Sequence, residues 1–132
     1  MIDTDWSAKK LSILVKEVID ERLLDFAAVE GAVIWSLRGS VLIAQLRNAT
    51  KKSEWFWLIG GEKIATDIAP QQVASSPREL ARYFSLRWQL GVEQLMNDPD
   101  QSVNNYSTHV KAGELRTMAE RLYALAETEK IW

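Results

Sequence analysis

Five consecutive apolar residues, Trp55-Phe56-Trp57-Leu58-Ile59, constrain this chain more than any other feature. A strand turns alternate side chains to opposite faces, so Trp55, Trp57 and Ile59 point one way while Phe56 and Leu58 point the other. Both faces of such a strand are apolar, and both need cover. Helices of the same chain can supply it, or another molecule can, since an exposed apolar patch beyond a few hundred Å² usually marks an interaction site.

The flanking sequence predicts the rest of the layers. Leu11, Leu14, Val15, Val18, Ile19, Leu23 and Phe26 recur at spacings of three and four and predict an amphipathic helix over 7–28, with Asp5 or Ser7 as its N-cap and Gly31 as a stop signal. From Ala32 the period changes: Val33, Ile34, Trp35 and Leu37 lead to a tight turn at Gly39-Ser40, and Val41, Leu42, Ile43 and Leu46 return as a second strand. A polar connection over 48–53 precedes the third strand, Glu54 to Ile59. Gly60-Gly61 is read as a primed turn into a fourth strand, Glu62 to Ala69, ended by Pro70.

Ser76-Pro77-Arg78-Glu79 is the sharpest local signal: a serine N-cap, proline at the first helical position and glutamate three residues after the serine, the pattern of a capping box. The stripe Leu80, Phe84, Trp88, Gly91 or Val92, and Leu95, widened by Tyr83, Leu86 and Leu90, continues that helix to Asn97-Asp98-Pro99. Residues 100–109 are polar and read as a loop or a short irregular helix. Leu115, Met118, Ala119, Leu122, Leu125 and Ala126 predict a last helix, capped near Thr108. The expected fold is a single α+β domain over 1–132: an N-terminal helix, a four-stranded antiparallel meander and two C-terminal helices packed on the sheet.

Composition narrows the function classes. A chain of 132 residues can bury roughly 68% of its unfolded surface, enough for a core of its own. Sixteen basic and eighteen acidic side chains, interleaved along the chain, give a net charge of −2, which disfavours generic nucleic-acid binding. No apolar run approaches the ~20 residues that span a bilayer, so no membrane association is expected. The acidic start, Met1 to Asp5, lacks the features of a secretory signal, and the absence of cysteine removes disulfides and thiolate chemistry. A cytoplasmic location is the expectation.

Motifs that carry chemistry are absent. His109 is the single histidine, with no cysteine to share a metal with it, and reads as structural or solvated. Gly39-Ser40-Val41 lacks the glycine and the helix of a nucleophile elbow, and Gly60-Gly61-Glu62-Lys63 lacks the spacing of a phosphate loop. No catalytic residue, cofactor or metal site is therefore assigned. Asp67 lies among apolar neighbours and can be a partly buried carboxylate with a raised pKa, although a Thr-Asp pair before proline more often bonds to backbone amides and shapes a loop. Arg78, Arg82 and Arg87 project from the capped helix, and Arg78 with Arg82 can form a cationic patch beside Tyr83 unless nearby acids such as Glu79 neutralise it. Six tryptophans are many for this length; they serve either as core anchors or as an interface.

The run from Trp57 to Asp67, with Pro77-Arg78-Glu79 and Arg82 to Gln89, resembles a small bacterial domain family of unknown function over about a third of the chain. That resemblance implies no activity, cofactor or site residue. Bacterial secretion chaperones are similar in being small, acidic and cytoplasmic, with sheets that mediate dimerisation, but the order of elements departs from theirs.

The leading expectation is a non-enzymatic protein that binds another protein, or itself as a homodimer, through the sheet face around Trp55, Trp57 and Ile59. The first alternative is a small-molecule binder or minor enzyme with a pocket between the sheet and the helix after Ser76, using Asp67, Arg78 and Arg82 as polar contacts. The second is an immunity or antitoxin-like inhibitor, compatible with small size and mild acidity.

Overall fold

The computed structural model describes residues 4–20, 29–50, 53–97 and 112–132. Helix α1 spans Thr4–Asp20, with Asp5 in its first turn, where a negative charge suits the helix dipole. Neither Asp5 nor Ser7 caps it. Ser7 is buried inside the helix and shares a 2.7 Å hydrogen bond with the hydroxyl of Ser36. The predicted continuation through Leu23 and Phe26 lies outside the described residues.

Strands β1 (Val29–Leu37), β2 (Val41–Asn48), β3 (Trp55–Gly61) and β4 (Asp67–Pro70) form one antiparallel sheet in the order β1-β2-β3-β4, the expected meander. Gly31 lies inside β1 opposite Leu46 rather than at a helix end. The first hairpin turns at Gly39, whose φ of 74° suits glycine, and is closed by a 3.0 Å bond from Ser40 N to Leu37 O.

Gly60-Gly61 is not a turn. Both residues lie in β3, paired with Leu42 and Val41, and the chain reverses after them. Their purpose is close approach: a Cβ on Gly60 would lie 2.6 Å from Leu14 Cδ1, and one on Gly61 would lie 1.8 Å from Ser40 O. The fourth strand is correspondingly short, because the chain spends Glu62 to Thr66 on the reversal before pairing resumes at Asp67.

A register shift between Val33 and Trp35 sets the faces of β1. Without it, these two residues would share a face; the extra residue puts Val33 on the α1 side and Trp35 on the opposite side. There Trp35 stacks on Trp132, with ring centroids 4.1 Å apart, and donates 3.0 Å to Ile131 O.

Helix α2 runs Pro77–Asn97 and α3 runs Ala112–Ala126. Ser76 caps α2 by accepting from Glu79 N at 3.2 Å, while the Glu79 carboxylate reaches back to Ser75, not Ser76, accepting from its N–H at 2.6 Å and from its hydroxyl. The predicted stops and caps at Asp98, Pro99 and Thr108, with the 100–109 loop, lie outside the described residues.

The three helices cover the sheet from both sides. On one face Leu14 and Val18 of α1 pack against Leu42, Ala44, Leu46 and Leu58. On the other, Leu80, Phe84 and Trp88 of α2 and Leu115 and Leu122 of α3 pack against Val41, Ile43, Trp57 and Ile59. This corrects the open aromatic face expected from the sequence. Trp57 is 5% exposed and Ile59 has no exposed surface, because α2 and α3 lie over them. The Trp57 indole N–H is satisfied internally, 3.3 Å from each of Gln71 O and Ala74 O. Trp55 stays half-buried at the margin, edge-on to Trp57 with centroids 5.2 Å apart.

The two glycines should respond differently to a methyl group. Gly61→Ala meets a backbone oxygen and is expected to cost about 3 kcal/mol, whereas Gly60→Ala meets the ends of the Leu14 side chain and should cost about 1–2 kcal/mol. Urea unfolding of the two variants checks the order.

Candidate functional site

The polar chemistry of the core gathers at the start of β4. Asp67 pairs with Ile59 across the strands and so points to the α2 side of the sheet. It has no exposed surface. Its Oδ1 accepts from Ile68 N at 2.8 Å and its Oδ2 accepts from the Trp88 indole N–H at 3.0 Å. Arg87 Nε lies 3.7 Å from the same Oδ2, and the Arg87 guanidinium donates 3.1 Å to the Tyr83 hydroxyl one helical turn earlier. Consecutive residues of α2 therefore bring a cation and a neutral donor to one buried carboxyl.

Burial pushes the Asp67 carboxyl up from 3.8 to about 7, against the pull of the Arg87 charge and the N–H donors of Trp88 and Ile68. The group can hold or release a proton near neutrality, which is what general acid–base work requires. It is nevertheless enclosed, with no surface exposed to solvent. Its visible role is to tie β4 to α2.

Only one of the three expected polar contacts belongs to this cluster. Arg78 Nε donates 2.7 Å to Ala126 O, satisfying a carbonyl at the end of α3, and Arg82 pairs with Glu127 at 3.4 Å on the surface. Both arginines join the start of α2 to the end of α3 and stay away from Asp67. The cation that bonds Tyr83 is Arg87, not the expected Arg78 or Arg82. Two signals pointed to the true set: the i, i+4 spacing of Tyr83 and Arg87, and the need of a core Trp88 for an acceptor.

The Lys63 turn and α3 leave a groove of about 640 Å³ lined by Lys63, Glu114, Thr117, Met118 and Arg121. None of Asp67, Arg78 and Arg82 lines it. Among the described residues, no group of three or more His, Asp or Glu side chains is placed to hold a metal ion, and no helix is long and apolar enough to cross a membrane. His109 lies outside the described residues.

Large apolar side chains also reach the surface. Leu86 and Leu90 on α2 are 58% and 52% exposed, and Tyr123 on α3 is 53% exposed. The Arg78 and Arg82 contacts hold the first turns of α2 against the C-terminal end of α3. Leu86 and Leu90, one turn apart, lie opposite the buried stripe of Leu80, Phe84 and Trp88 on α2.

The sign of the Asp67 shift dictates a pH dependence. The folded state holds the proton more tightly than the unfolded state, so this group's contribution is fully present below pH 4 and is lost as the pH rises toward 7. Measured against Asp67→Asn, the stability of the parent should fall by about 3–4 kcal/mol between pH 4 and pH 8, read from urea midpoints. Arg78→Ala should cost about 1 kcal/mol for the lost cap of α3, and Arg82→Ala under about 0.5 kcal/mol for a surface pair.

Neither the curated proteins nor the solved structures contain a match to this chain. A family model does match, over residues 5–132, nearly the whole chain rather than the third that carried the sequence resemblance. The chain belongs to the family described as a domain of unknown function, DUF4826.

Proposed function

We propose that this chain is a non-enzymatic, cytoplasmic protein-binding domain whose contact surface is the outer face of α2 and α3. The observation that carries the reading is the outward placement of Leu86, Leu90 and Tyr123, each more than half exposed, on the helical layer whose inner side is already filled. Leaving such side chains in water forgoes roughly 1.5–3 kcal/mol apiece, and grouping them on one face concentrates what a partner can recover. The sheet offers less, because Trp35 and Trp57 are committed to the core and Trp55 is half-buried at its margin. The sealed Asp67 cluster supports a structural rather than a catalytic use of the strongest polar group.

The reading is tested with the purified full chain as bait and a variant carrying Leu86→Glu and Leu90→Glu. Both positions are exposed, so the variant should keep its stability within about 0.5 kcal/mol while losing the proteins that the parent retains. Identical binding by parent and variant would exclude this face.

A further inference from the structure

We infer that the partner of this face is a second copy of the chain, paired through α2 against α2 in antiparallel fashion about a two-fold axis. The inference rests on the reading of that face as a binding surface and adds the identity of the occupant.

The argument comes from the order of side chains along one stripe of α2. Arg82, Leu86, Gln89, Leu90 and Glu93 are exposed and, at 100° per residue, fall within about a quarter to a third of the helix circumference. From Arg82 onward the stripe is basic, then apolar, then acidic; Glu79, one turn before Arg82 on the same stripe, is held by Ser75. A stripe of that order is complementary to itself when reversed: with the axis midway between positions 82 and 93, Arg82 of each copy meets Glu93 of the other, and Leu86 of each packs beside Gln89 and Leu90 of the other. The reverse holds for parallel pairing, which would set like charges side by side.

A stable dimer buries about 800 Å² on each partner, more than one helical stripe of this length provides. The neighbouring helix can add to it, since the Arg82–Glu127 contact holds the end of α3 beside the stripe and Tyr123, one turn before Glu127, is 53% exposed. Arg82 already contacts Glu127 within the chain, so it would sit between two carboxylates in the dimer. That arrangement gives a cation at the rim a reason to stay ordered before association.

Charge exchange tests the pairing. Sedimentation velocity on the full chain over a range of concentrations should show a reversible monomer–dimer equilibrium. Arg82→Glu alone places an acid against Glu93, and Glu93→Arg alone places a base against Arg82, so each variant should dimerise at least about tenfold more weakly than the parent. An equimolar mixture of the two variants should recover dimer, because position 82 of one chain then opposes a charge of the other sign at position 93 of its partner, twice over. Recovery on mixing is the result that the inference requires. Glu93→Arg leaves the Arg82–Glu127 pair intact, so its effect stands even if Arg82→Glu perturbs the fold, which circular dichroism would reveal; Leu86→Glu is then the second variant that must dissociate.

A monomeric parent at every concentration overturns the second copy as occupant. The face itself survives that outcome if the Leu86→Glu, Leu90→Glu bait still loses a partner that the parent holds. A dimer that none of these substitutions weakens overturns the pairing through α2, because the contact then lies elsewhere, and the face as a binding surface is then decided by the bait comparison alone.

Discussion

Strands β2 and β3 bury both of their faces, and the rest of the molecule is arranged around that constraint. Leu42, Leu46 and Leu58 face α1 with no exposed surface, while Val41, Ile43 and Ile59 face α2 and α3 equally enclosed. At roughly 1.5–3 kcal/mol per large apolar side chain, neither face can be left to water in a domain of marginal stability. One helix on one side and a helical pair on the other is the solution this chain adopts. It determines where every other group can go.

Close cover has a steric condition, met at different places by different means. Leu14 sits over Gly60 at a distance no side chain would tolerate, so α1 approaches the sheet where β3 has no Cβ. The opposite layer needs bulk instead: Trp35, Trp57 and Trp88 fill it, and each indole N–H finds an acceptor in Ile131 O, in the carbonyls of Gln71 and Ala74, or in Asp67. An unsatisfied donor there would cost about 1–3 kcal/mol. The abundance of tryptophan is thus partly an account of how a small domain fills a thick layer, and the surface contacts of the helices become the place to look for function.

Asp67 shows how a structural group acquires a functional appearance. Its carboxyl sits where desolvation outweighs a neighbouring arginine and two N–H donors, which moves its titration into the neutral range. Such a shift in an open cleft would suggest catalysis. Under α2, with no exposed surface, it couples the packing of β4 and α2 to proton binding.

The local elements were legible in the sequence because neighbours along the chain decide them. Ser76 and Glu79 announce the start of α2, Gly39 marks the first reversal, and the alternation in Trp55 to Ile59 assigns each side chain to its face. Contacts between distant segments decided the rest. Gly60 and Gly61 read as a turn by composition, yet Leu14 and Ser40, far off in the chain, make them strand residues that must lack a side chain. Arg78 and Arg82 read as site residues by proximity to Tyr83, yet α3 takes them both and leaves Asp67 to Arg87 and Trp88. That two apolar faces need cover follows from the order of residues along β3; that the chain's own helices provide it follows from their packing, because burial belongs to the assembled layers and not to any one of them.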